Sequence, residues 1–200
     1  MRRLFPHPAD DVTPVSYTHL TLPSPPAEAI RIEAAEGCPS TVDGFDPHDG
    51  STAASWTFNP DTTGLEDLFV PGAPTSALVC RYAALDAVTT LADGATFASG
   101  ELFSSTELDG AEATDLARSL NVIEPSSIAA GCMPPADKTR YTAIVFSVPG
   151  RTDVNVWLKD WMRCPDVGNG SRDSGELING HGAAFLQALD AVAPPAPAQD

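Results

Sequence analysis

Residues 141–160 constrain this chain more than any other stretch. Residues 141–148 (Tyr-Thr-Ala-Ile-Val-Phe-Ser-Val) are β-branched and aromatic, the composition of a strand. Pro149-Gly150-Arg151-Thr152-Asp153 reads as a turn. Val154, Val156 and Leu158 then alternate with Asn155, Trp157 and Lys159, the period of two that a strand imposes on its faces. The two strands make a hairpin. An isolated hairpin is at best marginally stable in water, so other elements must cover it.

Three further segments qualify. Ala77-Leu78-Val79-Cys80-Arg81-Tyr82 reads as a strand, and Asp93-Gly94 turns into a second strand through Ala95-Thr96-Phe97-Ala98 and Leu102-Phe103. Over 109–121, Ala113, Leu116, Ala117 and Leu120 fall at i, i+3, i+4 and i+7, one face of a helix. Thr106 or Asp109 can cap it, and Pro125 stops it. A last helix over 181–193 turns Phe185, Leu186, Leu189 and Val192 to the core before Pro194-Pro195. The order strand, strand, helix, strand, strand, helix predicts an α+β, two-layer domain: a mostly antiparallel sheet with two packed helices. Residues 36–72 are rich in Gly, Pro, Asp and Thr and read as an extended segment anchored by Trp56, Phe58, Leu68 and Phe69. Asn169-Gly170 marks another turn.

The four cysteines, Cys38, Cys80, Cys132 and Cys164, are 42, 52 and 32 residues apart. No C-x-x-C occurs, which excludes a zinc ribbon or a thioredoxin-like motif. An even, dispersed set suits two disulfides in an exported protein, and three pairings are open. Folding the hairpin back brings the loop with Cys132 towards Cys164, which favours Cys132–Cys164 together with Cys38–Cys80. A small residue precedes both Cys38 and Cys132, but neither ends the long apolar segment that a lipid-anchor signal needs.

Formal charge excludes other classes. Eleven Lys and Arg against 27 Asp and Glu give −16, against the clustered cations that bind phosphate backbones. It also disfavours anionic membrane surfaces. No run of apolar residues approaches the roughly 20 that a spanning helix requires. No P-loop, G-x-G-x-x-G or H-E-x-x-H occurs, and no cofactor or metal site is expected. Asp43-Gly44-Phe45-Asp46-Pro47-His48-Asp49-Gly50 gathers carboxylates beside His48 but misses the EF-hand spacing, as does the loop 166–176. Ser174 precedes Gly175, yet Arg172 stands where a nucleophile elbow needs glycine. Trp157 and Trp161, four residues apart, are candidate ligand-facing aromatics, and His48 is a third weak candidate. No catalytic residue is assigned.

Residues 1–26 stand apart. They hold six of the 19 prolines and carry no net charge. Their run Val15-Ser16-Tyr17-Thr18-His19-Leu20-Thr21-Leu22-Pro23 resembles the conceptual translation of a transposase adapter used in sequencing-library preparation. The expected organisation is an artefactual leader over 1–35, one domain over 36–193 and a disordered tail over 194–200.

Ser76-Ala77-Leu78-Val79-Cys80-Arg81-Tyr82, Gly131-Cys132, the hairpin and Cys164-Pro165-Asp166-Val167-Gly168-Asn169-Gly170 together resemble a recurring domain of uncharacterised secreted proteins and lipoproteins. These belong to high-GC Gram-positive bacteria, the actinobacteria. Arg163 replaces the more usual glycine before the last cysteine. The resemblance implies export and envelope association and carries over no catalytic residues. The expected role is a non-enzymatic extracytoplasmic domain binding an envelope component or a small ligand. The alternative is a secreted hydrolase whose site is assembled from distant residues. Deleting residues 1–26 is expected to leave the melting temperature unchanged in differential scanning calorimetry; a fall of more than a few degrees contradicts the leader reading.

Overall fold

The structure, a computed structural model, describes residues 37–42, 59–90, 96–126, 140–160, 165–175, 177–178 and 180–195, with the backbone alone for 84–90, 96–99 and 160. Seven strands form one sheet: β1 (Thr41–Val42), β2 (Ser76–Thr90), β3 (Thr96–Leu108), β4 (Arg140–Ser147), β5 (Val154–Asp160), β6 (Asp166–Gly168) and β7 (Asp173–Ser174). Two helices, α1 (Gly110–Asn121) and α2 (Gly180–Val192), complete the elements. The sheet order is β1-β3-β2-β4-β5-β6-β7, and every neighbouring pair is antiparallel. The fold is α+β, as the pattern predicts.

Because β3 and β4 flank β2 and both oppose it, they run parallel to each other. Their connection must cross β2, and α1 makes that crossing. The helix starts where its chemistry allows. Asp109 accepts from the Ala111 and Glu112 amides, while the Glu112 carboxylate accepts from the Asp109 amide. Ala113, Leu116, Ala117 and Leu120 are its buried residues, as the spacing requires. On α2, Phe185 and Leu189 are buried, with Leu186 and Val192 packed partly against the core.

Strand alternation sorts the sheet into two faces. Ala77 and Val79, Ile144 and Phe146, and Val154, Val156 and Leu158 face the helices in one core. Arg81 also points to that face, buried beneath the end of α2. Its guanidinium donates to the Ala193 carbonyl at 2.6 and 2.9 Å, to the Asp190 carboxylate at 2.7 Å and to the Thr142 hydroxyl at 3.0 Å. A cation at a helix C-terminus meets the negative end of the helix dipole, and its donors satisfy a carbonyl the helix leaves over. Arg81 thereby ties α2 to the middle of the sheet.

Residues 59–74 form a strap that is neither helix nor strand, yet Leu65, Phe69 and Val70 from it are fully buried. Leu65 and Val70 replace Leu68 as anchors, since Leu68 is exposed. Trp56 and Phe58 lie outside the described residues. A buried strap leaves backbone polar groups that no ladder satisfies, and asparagine amides supply them. Asn121 exchanges two hydrogen bonds with Val70, its Oδ1 accepting from the amide at 2.9 Å and its Nδ2 donating to the carbonyl at 2.8 Å. Asn169 donates to the carbonyls of Leu65, Leu68 and Phe69, each at 3.1 Å, and accepts from the amides of Ser171 and Arg172. Asn59 closes the other end, donating to the carbonyls of Asn155 and Asn169 and accepting from the Asn155 amide. Arg151 and Arg172 add donors to the carbonyls of Asp61, Thr63 and Glu66, and Arg172 also lies over the Phe69 ring at 5.1 Å.

Three short strands exceed the expectation, and β2 runs eight residues past Tyr82. The expected Asn169-Gly170 turn is present between β6 and β7, with Gly170 at φ 87°. One disulfide, Cys38–Cys80, is described. The expectation of two is met only in part, because Cys132 and Cys164 lie outside the described residues. The register does pair Arg140 with Asp160, so the chain segments leading to those two cysteines leave one end of the hairpin.

Replacing Asn169 with Asp tests the strap. Asn169→Asp turns a donor facing three carbonyls into a carboxylate oxygen, an uncompensated buried charge costing about 3 kcal/mol or more. The carboxyl's folded-state pKa must rise above the unfolded value near 3.9. The variant is therefore expected to approach parent stability below about pH 4 and to lose it as the pH rises, read from urea midpoints of both proteins.

Candidate functional site

The sheet face away from the helices carries the residues whose types are least ordinary. Register assembles them in rows. One row runs Leu102, Tyr82, Tyr141, Lys159, Asp166 across β3, β2, β4, β5 and β6. The next runs Ser105, Cys80, Ala143, Trp157, Gly168, Asp173 across to β7. Val42, Cys80, Tyr82, Tyr141, Ala143 and Trp157 form a second apolar cluster here, with Cys38, Leu78 and Leu102 packed against it.

The disulfide shapes one end of this face. β1 lies beyond β3, two strand spacings from β2, or about 9.6 Å. Yet the Cα atoms of Cys38 and Cys80 are 5.6 Å apart. Cys38 therefore leaves the sheet plane and folds over β3 onto the cluster. Gly100 permits the same inward fold at Val42: a Cβ there would stand 2.9 Å from Val42 Cγ2 and 3.0 Å from Tyr82 Cβ. The bridge closes 42 residues of chain, worth about 4 kcal/mol if it acts through the unfolded state.

Trp157 sits at the centre and is 5% exposed. Among the described residues no helix covers it, and its burial leaves little surface for a ligand, against its candidacy as a ligand-facing aromatic. Its indole rests on the β6–β7 hairpin, where a Cβ on Gly168 would approach Trp157 Cζ2 to 2.9 Å and collide with the Asp173 carboxylate. Lys159 and Asp166 are both buried and directly opposite in the ladder. Opposite charges are favoured at such positions, and a buried cation needs an anion beside it. Burial pushes the Tyr82 phenol well above its ordinary range, so it stays neutral. This face is a sealed, mixed aromatic and polar layer.

The other candidates fall elsewhere. Trp161 and His48 lie outside the described residues, as does the acidic segment 43–50. His181 is exposed in the first turn of α2. Ser174 is buried, and its hydroxyl meets that of Ser126 at 3.1 Å, a tie between the α1 exit and β7 rather than a nucleophile with a base. Among the described residues no three His, Cys, Asp or Glu converge as a metal site. What remains available to a partner is the exterior, and its charge is one-sided. Arg81 and Lys159 are buried, Arg140, Arg151 and Arg172 half-buried, and Arg118 alone among the described lysines and arginines is exposed, 2.6 Å from Asp115. Glu66, Asp67, Glu101, Glu107, Asp109, Glu112, Asp115 and Glu124 all face solvent.

Sequence reasoning missed the inward use of the arginines and the buried Lys159–Asp166 juxtaposition. The alternation in 154–159 did place Lys159 with Trp157 on one face, but nothing local says that face is covered. No family model, no curated protein and no solved structure matches the chain.

Gly168→Ala is expected to displace Trp157 and cost about 1–3 kcal/mol, with a red shift in tryptophan emission. Gly150→Ala, where a Cβ meets nothing within 4 Å but φ is 81°, should lower stability without moving that emission.

Proposed function

We propose that the chain is an exported, non-enzymatic binding domain of the cell envelope or extracellular space. The observation that carries the reading is the Cys38–Cys80 disulfide, made by a buried cysteine in the centre of the sheet and a half-buried one folded over its neighbour. Such bonds persist in oxidising compartments and are rare in a reducing cytosol. The resemblance of segments 76–82 and 164–170 to secreted actinobacterial domains points the same way. Among the described residues no helix is long and apolar enough to cross a membrane. The binding role is supported by a reactive-residue inventory turned inward and an exterior dominated by carboxylates. A second bridge, Cys132–Cys164, belongs to the same proposal.

Non-reducing peptide mapping of protein isolated from its natural host tests this. Linked Cys38–Cys80 and Cys132–Cys164 peptides are the expected result, and the double variant Cys38→Ser/Cys80→Ser should lose roughly 2–5 kcal/mol. Free thiols at 38 and 80 in the native protein would sink the export reading. A Cys80–Cys132 link would overturn the pairing while leaving export standing.

A further inference from the structure

We infer that Asn169 is a modification site that the fold closes and unfolding opens: spontaneous deamidation at Asn169-Gly170 turns time spent unfolded into a lasting loss of stability. The inference is independent of the proposed binding role and rests on the turn between β6 and β7. Asparagine followed by glycine is the dipeptide most prone to this reaction, because glycine has no Cβ to hinder its own amide nitrogen. The deprotonated Gly170 nitrogen attacks Asn169 Cγ, the new N–C bond closes a five-membered succinimide, and the Cγ–Nδ2 bond breaks. Nδ2 takes up the proton that the Gly170 nitrogen gave away and leaves as ammonia. Water then adds to either ring carbonyl and opens the ring, giving aspartate or isoaspartate at 169. One water enters, one ammonia leaves, and nothing is oxidised or reduced. The other two amides that hold the strap are followed by Pro60 and Val122, an imide without a nucleophilic N–H and a β-branched residue. Of the three, Asn169 alone carries the reactive sequence.

The folded structure holds both reacting groups still. Asn169 is 1% exposed. Its Nδ2, the leaving group, donates to the carbonyls of Leu65, Leu68 and Phe69, and its Oδ1 accepts from the Ser171 and Arg172 amides at 2.9 and 2.8 Å. The Asn169 carbonyl accepts from Asn59 Nδ2 at 2.9 Å, which fixes the peptide plane carrying the Gly170 nitrogen. Gly170 itself lies against the indole, where a Cβ would stand 3.3 Å from Trp157 Cη2. Ring closure requires Cγ to turn towards the Gly170 nitrogen, and that movement breaks the side-chain hydrogen bonds. The succinimide has no Nδ2, so three strap carbonyls would lose their donor. Unfolding removes every one of these restraints. The products do not restore them: aspartate sets a carboxylate oxygen against the three carbonyls, and isoaspartate adds a carbon to the main chain within the turn.

The test holds the intact protein, without reductant, in mildly alkaline buffer with and without urea above its unfolding midpoint. Samples are digested at intervals and mapped by mass spectrometry. Asn179-Gly180, the same dipeptide ten residues on, reports the intrinsic rate in the unfolded chain. In urea both sites are expected to gain one dalton at comparable rates. Without urea Asn169 is expected to convert at least tenfold more slowly, because the reaction then waits on opening of the turn. The urea-treated protein is next refolded at neutral pH and given a brief pulse of protease at a urea concentration just below the parent midpoint. Surviving chains should carry Asn169, with aspartate and isoaspartate at 169 confined to the cleaved ones. Equal conversion of Asn169 with and without urea overturns the proposal, as does failure of Asn169 to convert in urea where Asn179 does. Survivors that keep converted residue 169 in its proportion before the pulse overturn it as well. None of these outcomes bears on the disulfide map, so failure here and failure of the export reading are separable.

Discussion

The fold depends on satisfying the backbone of a strap that has no secondary structure of its own. Residues 59–74 deliver Leu65, Phe69 and Val70 into the core shared by the sheet and both helices. Burying those side chains favours folding by about 1.5–3 kcal/mol each. An unpartnered buried amide or carbonyl costs about 1–3 kcal/mol, enough to cancel that gain. Asn59, Asn121 and Asn169 resolve the conflict because a primary amide carries both a donor and an acceptor, as the peptide group does. Asn121 reproduces a two-bond strand contact with Val70, and Asn169 both caps the β6–β7 turn and collects strap carbonyls. Aspartate, serine or glutamine at 169 would lack the second donor, the reach or the fit.

From that constraint the division of labour between the sheet faces follows. The helix face is mostly apolar, and on it the Arg81–Thr142 pair anchors the end of α2. Among the described residues no helix lies over the opposite face, and its rows hold aromatic rings, a disulfide and the facing Lys159 and Asp166. Side-chain cross-linking there takes the place of a second helical layer. The bridge folds Cys38 over β3, and Gly100 and Gly168 are the two strand positions where missing side chains let neighbours close in. Among the described residues, the side chains at the middle of both faces are buried.

Much of this was legible in the sequence because it was periodic. The hairpin at 141–160, the helix face of Ala113, Leu116, Ala117 and Leu120, and the Asn169-Gly170 turn are local patterns, and the structure contains all three. The end of β2 was not legible: Ala83-Ala84-Leu85-Asp86-Ala87 has poor strand propensity, and the strand is carried across it by pairing with β3 at Ala83 and Ala84 and again from Val88, with a break in register between. Phe69 was foreseen as a strap anchor and is buried, but Leu65 was missed because Leu65 and Leu68 are equivalent by composition, and only the turn around Gly64 decides which one points inward. Trp157 was visible as an aromatic near a strand end. Whether it met solvent depended on Gly168 and Gly170, eleven and thirteen residues further on, whose missing side chains make its seat.

Electrostatics carries the argument from fold to surface. A chain with few cations can hold segments lacking regular structure by directing its guanidinium groups at backbone carbonyls, as Arg81, Arg151 and Arg172 do. Each cation so used no longer screens the exterior. Among the described residues the surface charge is in consequence mostly carboxylate, and the cost is self-repulsion in the compact state. That repulsion is tolerable where a disulfide restrains the unfolded chain. Among the described residues, the scarcity of outward cations and the cross-linked sheet face are thus linked consequences of one allocation, in which positive charge is directed inward.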